Sequence, residues 1–299
     1  MGVDTLIFGV YTPIYDMTEK IEKTKKKVAV VTGSSSGIGY ETALLLARNG
    51  FDTFATMRNM NKSKEITDVA KKENLPLRVL QLDVTNDRSV VDAIYNISKE
   101  KNSIDVVVNN AGYGLMGSVE DSSIDEIKAQ FETNFFGAIR VMQKVLPIMR
   151  QQKAGTIVNV SSIAGRIGFP MGSSYVSSKF ALEGLSESMS YELEQFGIRI
   201  LLIEPGVINT NFAFVTPKKA LDTNSPYSPI MNKMQENLVS TIANGTSPKE
   251  VANVILRALT EDSPERRYLV GNDAFELIDA RKNSTDKDFE KIIVGNLLK

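Results

Sequence analysis

From Val28 onward the chain alternates between two hydrophobic periods. Short runs rich in β-branched residues predict strands at Val28–Thr32, Asp52–Thr56, Leu77–Leu82, Asp105–Asn109, Thr156–Ser161, Arg199–Ile203 and Tyr268–Val270. Between them apolar positions recur at helical spacing, and the longest such stretches are Ser123–Gln152 and Ser173–Phe196. Pro147 is expected to kink or end the first, because proline lacks an amide donor and crowds the preceding turn. Strands joined through helices run parallel, and a parallel sheet is stable only when both faces are covered. The pattern therefore predicts an α/β fold, a parallel seven-stranded sheet with helices on both faces.

The ends and one interior segment break this rhythm. Residues 1–27 read as an appendage to a single domain over 28–281, with Met17 as a candidate translation start. Leu6–Tyr11 is far shorter than the ~20 residues of a membrane span. Asp4, with no early Lys or Arg, argues against a secretion signal, so a cytoplasmic protein is expected. Residues 207–230 hold Pro217, Pro226 and Pro229 without a sustained period, and are expected to form a substrate lid. The C-terminal tail, 282–299, is polar until Ile292, Ile293 and Val294, and either docks on the body or frays.

Composition narrows the chemistry. With net charge −1 over 299 residues, nothing draws the whole chain to nucleic acid or an anionic membrane, and neither is an expected partner. The chain has no cysteine, which excludes disulfides, thiolate nucleophiles and cysteine-bound zinc. It has no histidine either, which removes Ser-His-Asp triads and imidazole ligands. No metal site is expected, and acid–base work falls to Tyr, Lys or carboxylates.

Two stretches can carry such chemistry. Thr32-Gly33-Ser34-Ser35-Ser36-Gly37-Ile38-Gly39 follows the first strand and opens a helix. That placement makes an anion site for a dinucleotide pyrophosphate, although the spacing Gly-x-x-x-Gly-x-Gly departs from the commoner Gly-x-Gly-x-x-Gly. Tyr175 and Lys179 lie four apart, on one helix face. A phenol titrates near pH 10, and lowering it by two units takes about 2.7 kcal/mol. A unit charge about 4 Å away supplies up to roughly 4 kcal/mol at an effective dielectric of 20.

Thr32 to Gly39, Asn109-Asn110-Ala111-Gly112, Tyr175 to Lys179, and Pro205-Gly206 with Thr210 occur in this order. Together they resemble the short-chain dehydrogenase/reductase family in its single-domain form, over roughly Lys27 to Gly271. The resemblance implies a Rossmann-type doubly wound fold and NAD(P)-dependent hydride transfer between a carbonyl and an alcohol. It makes Tyr175 the general acid or base and Lys179 the group that lowers its pKa and binds the nicotinamide ribose. Ser162 would orient the substrate oxygen, and Asn134 would hold a water in the proton relay. Cofactor contacts are implied at Gly33, Ser35, Ser36, Gly37, Ile38, Gly39, Asp83, Val84, Asn110, Ala111 and Gly112, and again at Pro205, Gly206, Val207 and Thr210. Tyr175 and Lys179 complete that set.

In Ala55-Thr56-Met57-Arg58-Asn59 no acid stands where relatives that use NAD carry one, and Arg58 could attract a 2′-phosphate. NADP(H) is therefore favoured over NAD(H). Leu115, Met116, Phe169, Met171, Phe212 and Phe214 suggest apolar pocket walls and a lipophilic small-molecule substrate. Phe54 to Asn59 resembles the hydroxysteroid- and retinol-dehydrogenase-like branch. A 3-oxoacyl-acyl-carrier-protein reductase, docking through Arg140, Lys144, Arg150 and Arg166, is the alternative. A non-catalytic NAD(P)-binding regulator is the alternative of another class. The resemblance also implies a homodimer or homotetramer built from the two long helices.

Overall fold

The computed structural model describes residues 26–212, 214–218 and 224–297. The expected appendage, including Met17, thus falls almost wholly outside the described residues. Strands β1 (Val28–Val31), β2 (Asp52–Met57), β3 (Leu77–Gln81) and β4 (Val106–Asn109) alternate with helices α1 (Gly37–Arg48), α2 (Lys64–Lys72) and α3 (Asp87–Lys101). Next come β5 (Gly114–Leu115), α4 (Ile124–Phe131), α5 (Gly137–Gln152), β6 (Gly155–Val160), α6 (Ser173–Leu193) and β7 (Ile198–Pro205). The chain continues through β8 (Phe214–Val215), α7 (Ser228–Ala243), α8 (Pro248–Thr260), β9 (Arg267–Val270), α9 (Asn272–Asn283) and α10 (Asp286–Leu297).

The main sheet has seven parallel strands in the order β3-β2-β1-β4-β6-β7-β9, as the periodicity required. Alternation along β1 shows why both faces are covered. Val28 and Val30 pack with Val90 and Ile94 of α3 and Val141 and Met142 of α5. Ala29 and Val31 pack on the opposite face with Leu44 and Leu46 of α1 and Val251 and Ile255 of α8. Each such valine contributes roughly 1.5–3 kcal/mol by leaving water, so a polar residue anywhere in β1 would be costly. The strand order reverses between β1 and β4, and that switch point is where an α/β sheet opens a crevice for ligands.

Two departures from the expected elements, and one choice between stated alternatives, bear on the site. The first long helix neither ends at Pro147 nor stays α-helical throughout. α5 runs through Pro147 to Gln152, and Glu132–Phe136 forms a π turn between α4 and α5. Pro147 and Gln143 face solvent, where water can bond the carbonyl that loses its amide partner. Second, residues 207–230 are not all loop, because β8 pairs in parallel with β5 through Gly114–Phe214 and Leu115–Val215. Third, α10 docks through Phe289 and Ile293, four apart, which pack with Ile163, Ala274 and Ile278. Among the described residues no helix is long and apolar enough to cross a membrane.

Candidate active site

The phosphate-loop stretch lies at the switch point. Gly33 and Gly37 have φ of +69° and +60°, a backbone region that favours glycine. Space is also restricted, since a Cβ on Gly33 would stand 2.8 Å from the Ala111 Cα, and one on Gly39 would stand 2.6 Å from the Gly33 carbonyl oxygen. The Asn110 side chain locks this arrangement by donating to the carbonyls of Thr32 at 2.9 Å and Gly33 at 3.2 Å. The Thr32 hydroxyl accepts from the amides of Asn110 at 3.0 Å and Ala111 at 3.1 Å. At the start of α1 the Ser36 side chain makes no capping bond, and no acidic residue lies in the first turn. The free amides and the positive helix end therefore suit a pyrophosphate, so the residues present fit a dinucleotide.

The remaining cofactor candidates spread along the strand ends, as an extended ligand demands. Arg58 follows β2, is exposed, and has no ion-pair partner among the described residues. Asp83 follows β3 and accepts from the amide and hydroxyl of Thr85 at 3.0 and 2.8 Å, while Val84 is buried. Gly112 lies against Asn134, and Thr210 stands over Gly37. The amide of Gly206 donates to the Val270 carbonyl at 2.9 Å, and that of Val207 to the Asp273 carboxylate at 2.7 Å.

On α6 the Lys179 ammonium stands 5.8 Å from the centre of the Tyr175 ring and donates to the Val160 carbonyl at 2.8 Å. It is 7% exposed, and burial pulls its pKa down from 10.5 to about 8, against a smaller upward pull from Glu183. Desolvation pushes the Tyr175 phenol up to about 12, with the Ser162 hydroxyl pulling the other way. Desolvation sets the direction for the phenol, and the ammonium is turned toward Val160. Ser162 is buried, donates to the Pro205 carbonyl at 3.3 Å and accepts from the Ala164 amide at 3.1 Å. The π turn sends Asn134 into the protein, where its amide donates to the Tyr113 carbonyl at 2.9 Å and to the Ser178 hydroxyl at 3.2 Å. Its oxygen accepts from the Tyr113 amide at 3.1 Å. A cavity of about 10 Å³ touches Thr32, Ala111, Asn134 and Lys179, so the phosphate loop and the α6 group meet there.

Beside Tyr175 the surface is apolar. Phe212 lies 6.0 Å from its ring, with Phe214 5.1 Å further on. Met116, Met171 and Met231 pack with Phe169, Tyr227 and Met234. Met171 holds a φ of +59°, uncommon for a side-chain-bearing residue, with its carbonyl accepting from the Gly117 amide at 2.6 Å. Sequence reasoning missed the α7 wall of Met231 and Met234, since nothing in the sequence says where α7 docks. It also missed Glu183, although the spacing Tyr175, Lys179, Glu183, Glu187 was there to be read. Glu183 is buried, with Arg267 bonding it at 3.0 Å and Glu204 at 3.2 Å.

The family described as short chain dehydrogenase matches residues 27–220. Oxidoreductase BOA17 of Botryotinia fuckeliana is 38% identical over 84% of this chain and 90% of its own length. Retinol dehydrogenase 8 of Bos taurus is 38% identical over 81% of this chain and 80% of its own. A short-chain dehydrogenase from Streptomyces avermitilis superposes with a TM-score of 0.78 at 29% identity, covering 90% of this chain and 98% of that one.

Proposed function

Because the chain belongs to the short-chain dehydrogenase family, we propose that it interconverts a lipophilic carbonyl compound and its alcohol with NADP(H), Tyr175 serving as the acid–base group. The observation that carries this reading is the placement of Tyr175, with Lys179 on one side and the Phe212–Phe214 wall on the other. The nicotinamide, when bound, would supply or accept the hydride. A phenol held protonated by burial is ready to donate its proton to a developing alkoxide. The Ser162 hydroxyl, beside the phenol, helps hold that oxygen. Asn134 fixes the Tyr113 backbone against α6 and lines the small cavity beside Lys179, where it would hold a water. Arg58, exposed and without an ion-pair partner among the described residues, favours a 2′-phosphate.

Retinol dehydrogenase 8, a relative by name a dehydrogenase of a lipophilic alcohol, supports the substrate class. The acyl-carrier-protein alternative is less favoured, because Arg140 is tied to Glu132 at 2.6 Å and Arg166 to Glu204 at 3.0 Å, leaving Lys144 and Arg150 for docking. Phe136 and Phe180, 45% and 46% exposed near α5 and on α6, support assembly through those helices. The test is NADPH oxidation with lipophilic ketones, short ketones and oxoacyl thioesters, repeated with Tyr175→Phe. Turnover of the lipophilic ketones is expected, with at least a 100-fold loss in the variant. Near-full turnover by Tyr175→Phe would refute the assignment, and tight NADPH binding without turnover of any compound would favour the regulator.

A further inference from the structure

Residues 205–210 leave the end of β7 and run over the phosphate loop, with Thr210 against Gly37. Such a segment needs its exposed amides bonded if it is to hold one shape. Two supports do this from outside the matched family region. Between α7 and α8, the Thr246 amide donates to the Val207 carbonyl at 2.9 Å and the Thr246 carbonyl accepts from the Asn209 amide at 2.9 Å. From the first turn of α9, Asp273 accepts the Val207 amide at 2.7 Å, the length of a charge-assisted bond. Room for that carboxylate is built into the backbone on both sides. A Cβ on Gly206 would run into it, and one on Gly271, where φ is +102°, would stand 2.6 Å from its Oδ1. Behind Val207 lies a groove of about 730 Å³, lined also by Thr246, Gly271, Asp273 and Phe275. Ile208 packs against the core from within this segment, and hydrogen bonds fix the backbone on either side of it.

We propose that Asp273 is a positioning residue for the nicotinamide half of the cofactor, acting through the Val207 amide to hold residues 206–210 in place. This rests on the reading that the segment closes over a nicotinamide. The strands also fix a spatial prediction, because the adenosine half would lie toward Arg58 and Asp83, after β2 and β3, at the other end of the sheet order from β7 and β9. Losing Asp273 should therefore weaken binding of the whole dinucleotide and spare binding of its adenosine end.

The experiment measures dissociation constants of NADPH, by its fluorescence, and of adenosine 2′,5′-bisphosphate, by competition or calorimetry, for the full chain and for Asp273→Ala and Asp273→Asn. For Asp273→Ala about a tenfold weaker affinity for NADPH is expected, with that for the bisphosphate within twofold. Asp273→Asn keeps an acceptor without the charge and should lose about threefold. A general loss of structure would weaken both ligands together, which overturns the proposal. So does NADPH affinity within 1.5-fold of the parent in either variant. Should Asp273→Ala fail to fold, Asp273→Asn alone decides by the same criterion. A parent chain that binds neither NADPH nor NADH would instead remove the functional reading on which the proposal rests.

Discussion

Lys179 is an ammonium held where the fold disfavours it, and replacing it by methionine should separate stability from activity. Its pKa falls from 10.5 to about 8 on burial, which at about 1.4 kcal/mol per unit corresponds to about 3 kcal/mol against the charged form in the folded state. Methionine keeps most of the apolar stem and removes the charge, but it also removes the 2.8 Å bond to the Val160 carbonyl, worth about 1.5–3 kcal/mol. The variant should therefore be more stable than the parent by up to about 1.5 kcal/mol at pH 7 and nearly inactive. The pH dependence gives a second check. Between pH 8 and 10.5 the unfolded chain binds the proton that the folded chain has released, so parent stability from this group rises with pH through that window. The advantage of Lys179→Met should shrink over the same interval. Urea unfolding at pH 7 and pH 10.5 measures both quantities. A variant less stable than the parent at pH 7, or an advantage unchanged at pH 10.5, would mean that Lys179 is not destabilised by burial and that the reasoning is wrong.

Two further substitutions probe the proposed cofactor cradle. Gly39→Ala places a methyl group 2.6 Å from the Gly33 carbonyl oxygen, within backbone that cannot give way cheaply. Overpacking of this kind costs about 1–3 kcal/mol, so urea unfolding should show a loss in that range and NADPH titration at least a tenfold weaker affinity. Unchanged values in both would show that the loop is looser than drawn. Arg58→Ala should raise KM for NADPH about tenfold and leave KM for NADH unaltered, as expected of a charged hydrogen bond to the 2′-phosphate. Equal changes with both cofactors would remove Arg58 from that role.

What could be read in the sequence depended on how local its physical cause is. All seven strands of the main sheet lie within two residues of their expected ends, because β-branched runs buried on both faces announce themselves. The phosphate loop was legible for a similar reason, since glycine at Gly33 and Gly37 reflects a local backbone need. The pairing of β5 with β8 was not, as two residues carry no period. The π turn at Glu132–Phe136 left no signal either, and Pro147, the visible irregularity, proved tolerable on a solvent-facing side. Desolvation is the clearest case of information absent from sequence. Spacing alone put Lys179 near Tyr175, yet burial decided that the phenol rises to about 12. Asp273 was illegible because its role depends on a contact across 66 residues.

The short parallel pair β5–β8 has a consequence for how such a chain can change over time. Two paired residues cannot hold a strand by themselves. The segment after β8 keeps its course through further ties as well, including Ser225 to Asp121 at 2.7 Å and the Lys218 amide to Glu126 at 2.9 Å. None of these residues belongs to the phosphate loop or to α6. Substitutions there can redraw the wall formed by Phe212, Phe214 and the methionines while leaving the phosphate-loop stretch and the Tyr175–Lys179 pair intact. A lineage built on this plan can try new substrates one loop at a time, without passing through a form that has lost its chemistry.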